Sequence, residues 1–121
     1  MLNQVQLIGF TGAEPEIRTV QSGKKVAILR VATSRYTRKG DERREYTTWH
    51  TIEVWHQPSV NWLASRALAK GSKVFVQGEI RHDRTSDSEG VERFYSKIVV
   101  GLPGHELKSL ERPEQNPADE E

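Results

Sequence analysis

Residues 46–56 read Tyr-Thr-Thr-Trp-His-Thr-Ile-Glu-Val-Trp-His, a run dense in side chains that could do chemistry. Two kinds of chemistry compete for it. His50, Glu53 and His56 have a spacing that could gather on one metal ion if the run were helical, whereas Trp49 and Trp55 are flat apolar plates suited to stacking. Local conformation decides between them. The run is rich in aromatic and β-branched residues and lacks Gly and Pro, which predicts a β-strand. Side chains alternate along a strand, so Thr47, Trp49, Thr51, Glu53 and Trp55 share one face. Thr48, His50, Ile52, Val54 and His56 share the other. Glu53 then points away from both histidines and no metal site is expected. Ile52 and Val54 mark the core side, leaving two tryptophans beside Thr and Glu. That face is a poor core and a good surface for planar ligands.

Stepping outward from this strand, the rest of the chain reads as a small β-domain. Residues 5–10 suggest a first strand, residues 16–20 a short return strand, and residues 25–36 a strand long enough to bend around a barrel. Residues 35–45 read as a charged hairpin loop with a turn-like Lys39-Gly40-Asp41 centre. Residues 58–70 form the one convincing helix, with Pro58 at its start, Gly71 past its end, and an apolar stripe of Val60, Leu63, Ala64, Ala67 and Leu68. A strand over residues 72–81 places Val74, Val76, Gly78 and Ile80 on one face. A polar loop follows over residues 82–92, then a last strand over residues 93–101. The order of strands, with one helix between the third and fourth main strands, is that of an all-β, five-stranded OB-fold barrel.

Composition bounds the function. The chain has 121 residues, 35% hydrophobic and 29% charged, with a formal net charge of +1. Residues 1–104 carry 16 Lys and Arg against 11 Asp and Glu, while residues 105–121 carry 2 against 6. A basic body beside an acidic tail fits a polyanion partner better than the net charge suggests. The expected domains are therefore a barrel over residues 1–104 and a polar, Pro-containing, disordered tail over residues 105–121. There is no cysteine, which excludes disulfides, thiolate nucleophiles and Cys-based zinc sites. Without a secretory leader or a long apolar run, a soluble cytoplasmic protein is expected. Thr33, Ser34 and Ser59 have no positioned His–Asp pair, and no phosphate-binding Gly-rich loop occurs. The reading is of a binder, not an enzyme, with no cofactor.

Several fragments in order carry a family resemblance: Asn3-Gln4-Val5-Gln6-Leu7-Ile8-Gly9, Glu14-Pro15-Glu16-Ile17-Arg18, Ala32-Thr33-Ser34, Thr48-Trp49-His50, and Lys70-Gly71-Ser72-Lys73-Val74 with Gly78 and Arg81. Over residues 3–102 the chain resembles the bacterial-type single-stranded DNA-binding proteins. The resemblance implies an OB barrel over which single-stranded DNA wraps, in replication, recombination or repair. It implies stacking of bases on Tyr36, Trp49 and Trp55, and a homotetramer, less often a dimer, with His50 at a subunit contact. A further stacking aromatic is common in the family where this chain has Thr85. The family's acidic tail is usually tipped by Pro-Phe and recruits replication and repair proteins, whereas this one ends Asp119-Glu120-Glu121 with no apolar tip.

Phosphate contact supplies much of the affinity of any single-strand binder. The candidates are Arg18, Arg35, Arg38, Lys39, Arg43, Arg44, Lys73, Arg81 and Arg84, of which Arg35 and Arg38 bracket Tyr36. Trp62 lies off the helix stripe and suits packing. The departures at Thr85 and the tail leave a second reading, an OB-fold accessory protein of replication restart, plasmid transfer or RNA binding that acts through protein contacts. A more distant one is a metal-dependent hydrolase using Glu53, Asp83 or Asp87.

Overall fold

The computed structural model describes residues 1–65 and 68–111. Its elements are β1 (Val5–Thr11), β2 (Glu16–Thr19), β3 (Lys25–Lys39), β4 (Glu42–Val54), α1 (Gln57–Ala64), β5 (Lys73–Ser86), β6 (Glu92–Val100) and β7 (Glu106–Ser109).

Two long hairpins dominate. β3 and β4 pair without interruption from Ala27↔Val54 to Lys39↔Glu42, and only Gly40 (φ 63°) and Asp41 make the turn. The stretch expected as a charged loop is therefore mostly strand. Tyr36, Thr37, Tyr46 and Thr47 interrupt its charges, and charged side chains project from both faces of the ladder, so the arm stands in water without a buried side. The second expected loop shrinks in the same way. β5 and β6 pair from Glu79↔Val99 to Ser86↔Glu92, and the remaining turn is held by the Asp87 carboxylate, which accepts from the backbone N–H groups of Glu89 and Val91.

Five strands close on themselves in the order β1-β3-β4-β6-β5-β1, with β2 added beside β3 and β7 beside β5. β4 and β6 run parallel and every other pair is antiparallel. This is the OB barrel with its helix between the third and fourth barrel strands. Two closures are short: β1 meets β3 at Phe10↔Ala32 and Thr11↔Val31, and β4 meets β6 at Ile52↔Ile98 through Val54↔Val100. Beyond these, the β3–β4 and β5–β6 hairpins continue outward as two arms.

Alternation fills the barrel. Ala27, Leu29 and Val31 from β3, Ile52 and Val54 from β4, Val74 and Val76 from β5, and Ile98 and Val100 from β6 are buried together. Val60 and Leu63 of α1 join them, as does Leu68. Ile80 shares the parity of Val74 and Val76 yet is exposed, because β5 has by then passed from the barrel into the arm.

The helix stops at Ala64, short of the expected end at residue 70. The Ser65 N–H donates to the carbonyls of both Asn61 and Trp62, and its hydroxyl also takes the Trp62 carbonyl, which tightens and ends the last turn. Ala64 is exposed, so the expected stripe loses it, and Ala67 lies outside the described residues. Gly71 (φ 85°) serves the turn into β5, its N–H donating to Thr11 O. Among the described residues no helix is long and apolar enough to cross a membrane.

A boundary after residue 104 cuts through folded structure. β7 pairs with Val74–Gln77 and resumes the course of β6 along β5 after a five-residue excursion. The His105 ring pins that excursion by accepting from the N–H groups of Gly101 and Leu102. Leu107 packs on the core, which explains why a short polar segment holds its place. Residues 112–121, the rest of the expected tail, lie outside the described residues.

Candidate nucleic-acid interface

The register of β3, β4, β6 and β5 produces one continuous outward face. On β3 it carries Arg30, Ser34, Tyr36 and Arg38, and on β4 Arg43, Thr47, Trp49, Thr51 and Glu53. Tyr95 and Lys97 continue it on β6, with Glu79, Arg81, Asp83 and Thr85 on β5. The alternation expected for residues 47–54 holds, with Ile52 and Val54 inside and Trp49 outside.

Tyr36 and Trp49 are 55% and 51% exposed, as flat ligands require. Each has a guanidinium over its ring. Arg43 lies 4.3 Å from the Tyr36 centroid, and Arg30 lies 5.7 Å from that of Trp49. Such a pair couples an aromatic plate to a positive charge, the combination that a stacked base with its phosphate can use. The β1–β2 turn supports the plate from beneath, since a Cβ at Gly12 would collide with the Trp49 ring.

Trp55 differs. It follows the end of β4, is only partly exposed, and donates its indole N–H to Glu53 Oε1 at 2.6 Å. Its backbone N–H donates to Val100 O at 2.7 Å, and Gly101 leaves room for its Cβ. Trp55 is thus tethered by its indole N–H and less exposed than Tyr36 and Trp49.

Glu53 also belongs to an ion triad. Lys97 Nζ lies 2.9 Å from Glu53 Oε2 and 2.6 Å from Asp83 Oδ2. Burial disfavours the ammonium, but the hydrogen bonds it donates to Asp83 and Glu53 outweigh that and hold its pKa above the usual lysine value. His50 bonds Thr33 Oγ1 at 2.8 Å, and His56 bonds Ser59 Oγ at 2.9 Å. Each member of the His50/Glu53/His56 spacing therefore has a different partner. Burial also lowers the His50 pKa.

The nine basic candidates divide by position. Arg38, Arg43 and Arg81 share the aromatic face, although Arg81 is paired with Glu79. Arg35, Lys39, Arg44 and Arg84 project from the reverse side of the arms. There Arg35 stacks on Tyr46 (4.9 Å), Arg84 stacks on Phe94 (5.2 Å), and Arg44 pairs with Glu42. Arg18 lies on β2 opposite Val26, its guanidinium 2.8 Å from Glu16. The Arg18 guanidinium keeps the Glu16 carboxyl below its ordinary range. Lys73 begins β5 opposite Phe10, and its backbone N–H donates to the Glu111 carboxylate. Arg18 and Lys73 thus stand on β2 and β5, off the β3–β4 hairpin that carries Tyr36 and Trp49. Sequence reasoning missed Arg30, whose role follows only from the register that puts Ala32 opposite Trp49. It also missed Lys97.

Between the arms, above the last β4–β6 pair, lies a cleft of about 260 Å³ lined by Thr48, Trp49, His50 and Thr51 on one side and by Ile80, Ser96, Lys97 and Ile98 on the other.

Known proteins share both the sequence and this shape. Residues 2–103 match the model of the Single-strand binding protein family. A single-stranded DNA-binding protein of Rhizobium meliloti (strain 1021) is 37% identical over 101 residues, which span 82% of this chain and 58% of that protein. One of Rickettsia typhi (strain ATCC VR-144 / Wilmington) is 33% identical over 117 residues, or 95% of this chain and 76% of its own. Among solved structures, a Plasmodium falciparum SSB in complex with ssDNA superposes with a TM-score of 0.83 at 31% identity, covering 92% of this chain and 96% of that one. This chain belongs to the single-strand binding protein family.

Proposed function

We propose that the protein binds single-stranded DNA with little regard for sequence, as a non-enzymatic binder that keeps strands unpaired in replication, recombination or repair. The observation that carries this reading is the pairing of Tyr36 and Trp49, exposed on one sheet face, each with a guanidinium over its ring. Bases stack on the two plates while Arg30, Arg38 and Arg43 meet the phosphates, and stacking on any base explains the sequence tolerance. Trp55 contributes at the edge of the face, held there by Glu53.

The reading includes self-association as a tetramer or a dimer. β1 supports it: Ile8 and Phe10 are exposed, and β3 pairs with β1 only at Phe10 and Thr11. Such an edge accepts a second strand. His50, at the cleft wall, is the interface candidate on β4. The same reading puts the protein at the bacterial nucleoid, in the cytoplasm, in keeping with the bacterial sources of its relatives.

Titrating tryptophan emission with poly-dT at two salt concentrations tests this. Quenching that weakens as salt rises is expected. Trp49→Ala should weaken binding roughly 5- to 100-fold, in line with about 1–3 kcal/mol per stacked base, and leave the fold intact. An emission that ignores poly-dT would refute the proposal, as would cleavage of labelled strand with divalent ions refute its non-enzymatic part.

A further inference from the structure

We propose that Tyr95 is an additional base-stacking platform, set across the cleft from Trp49, so that a bound strand crosses from β4 to β6. The inference rests on the single-strand-binding reading above and extends it to a residue outside the Tyr36, Trp49 and Trp55 set.

Register supplies the first argument. β4 and β6 run parallel with Ile52 beside Ile98, and counting three residues back along each strand brings Trp49 level with Tyr95. The strands no longer pair there, and the cleft opens beside them, with Trp49 in one wall and Ser96, the residue after Tyr95, in the other. Tyr95 has the same outward parity as Lys97, whose ammonium reaches Glu53 on β4 and Asp83 on β5, so this side of β6 faces the aromatic surface.

Exposure supplies the second. Tyr95 is 53% exposed, close to the values for Trp49 and Tyr36. Its neighbour Phe94 is also exposed, but it points to the reverse side and is covered by Arg84. Among the described residues no cation lies over the Tyr95 ring, in contrast to Tyr36 and Trp49. A large aromatic so placed gains little from burial, and its position suits a planar partner from solution.

Charge supplies the third. Arg93 precedes Tyr95 by two residues on the same face of β6, and Arg81 lies one strand over, opposite Lys97. A phosphate leaving a base on Tyr95 therefore meets Arg93 along the strand, while Arg81 is shared with Glu79. Asp83, directly opposite Tyr95, is held by Lys97.

The test compares fluorescein-labelled oligo-dT binding by anisotropy for the full chain and for its Tyr95→Ala, Tyr95→Phe and Trp49→Ala variants, with thermal unfolding as the control. Tyr95→Ala should raise Kd roughly 5- to 100-fold, Tyr95→Phe should stay within about twofold, and the unfolding temperature should hold. Tyr95→Trp should keep affinity and add an emission component that oligo-dT quenches. Wild-type affinity in Tyr95→Ala beside a weakened Trp49→Ala would overturn the role of Tyr95 while leaving the function standing. An indole at 95 that ignores DNA would do the same. If the unsubstituted chain fails to bind oligo-dT, both the function and this platform are refuted.

Discussion

Replacing Lys97 by methionine should destabilise the barrel and make the aromatic face more acidic at once. The methionine retains most of the aliphatic stem, so the perturbation is electrostatic. Lys97 and Glu53 are each only 18% exposed, while Asp83 is half exposed. An exposed ion pair contributes about 0.2–1 kcal/mol, and breaking a buried one costs about 3–5 kcal/mol. Glu53 keeps the Trp55 indole as a donor after the substitution, which softens the loss. A cost of about 2 kcal/mol follows, or about 8 °C in unfolding temperature for a domain of this size. The assay is thermal and denaturant unfolding of Lys97→Met, Glu53→Gln and the double variant at pH 7. Lys97 is charged there: its raised pKa means that its contribution is complete below about pH 10.4 and disappears only as pH climbs through the higher folded value. The glutamine still accepts from Trp55 and removes the less exposed of the two carboxylates, leaving only the half-exposed Asp83 without its lysine, so the double variant should recover about half of the loss. An unfolding temperature within about 1 °C of wild type for Lys97→Met, or strict additivity in the cycle, would refute the triad as a structural unit.

Other perturbations address other parts of the molecule. A Cβ at Gly9 would overlap the Ala32 carbonyl oxygen, so Gly9→Ala should cost about 1–3 kcal/mol in denaturant unfolding; unchanged stability would mean that β1 shifts freely against β3. Burial lowers the His50 pKa, so the fold favours the neutral ring. The associated stability is complete above about pH 6.5 and is lost as pH falls through the lower folded value. The unfolding temperature should therefore fall between pH 7 and pH 5, and less steeply in His50→Gln. Joint replacement of Arg38 and Arg43 by alanine should reduce the log–log salt slope of oligo-dT binding by about 1.4, whereas Arg18→Ala, on β2 and off the β3–β4 hairpin, should leave it unchanged.

Much of the fold could be read from alternation. Ile52 and Val54 identify the core side of β4 and Trp49 its outer side, because a half-buried strand records its faces in every second residue. The arms were harder. Arg35, Arg38, Arg43 and Arg44 look like loop residues, yet they occupy ladder positions, because a hairpin tip needs no buried side. β7 was illegible for another reason: Glu106–Ser109 has one apolar residue, Leu107, and takes its place from the β5 edge. At the site, residue types announced the plates, but which arginine meets which ring depends on pairing register. Arg30 is nineteen positions from Trp49 in the chain and above its ring in space. Trp55 has the aromatic character expected of it, and its tether to Glu53 depends on the fold that turns its indole back along β4.

The two short closures of the barrel divide it into separately laced halves. β2, β3 and β4 are zipped together over long ladders, as are β1, β5, β6 and β7. Between the halves there are two paired positions on one side and three on the other. Native-state breathing follows the least-bonded lines, so amide hydrogen exchange should be fastest along these junctions and slowest within the halves. Trp49 belongs to one half and Tyr95 to the other. A strand lying across both acts as a staple, and a ligand that prefers the closed state slows opening by mass action. Occupancy would then be written into the exchange rates of Ile52–Val54 and Ile98–Val100, at the closure and away from the two plates.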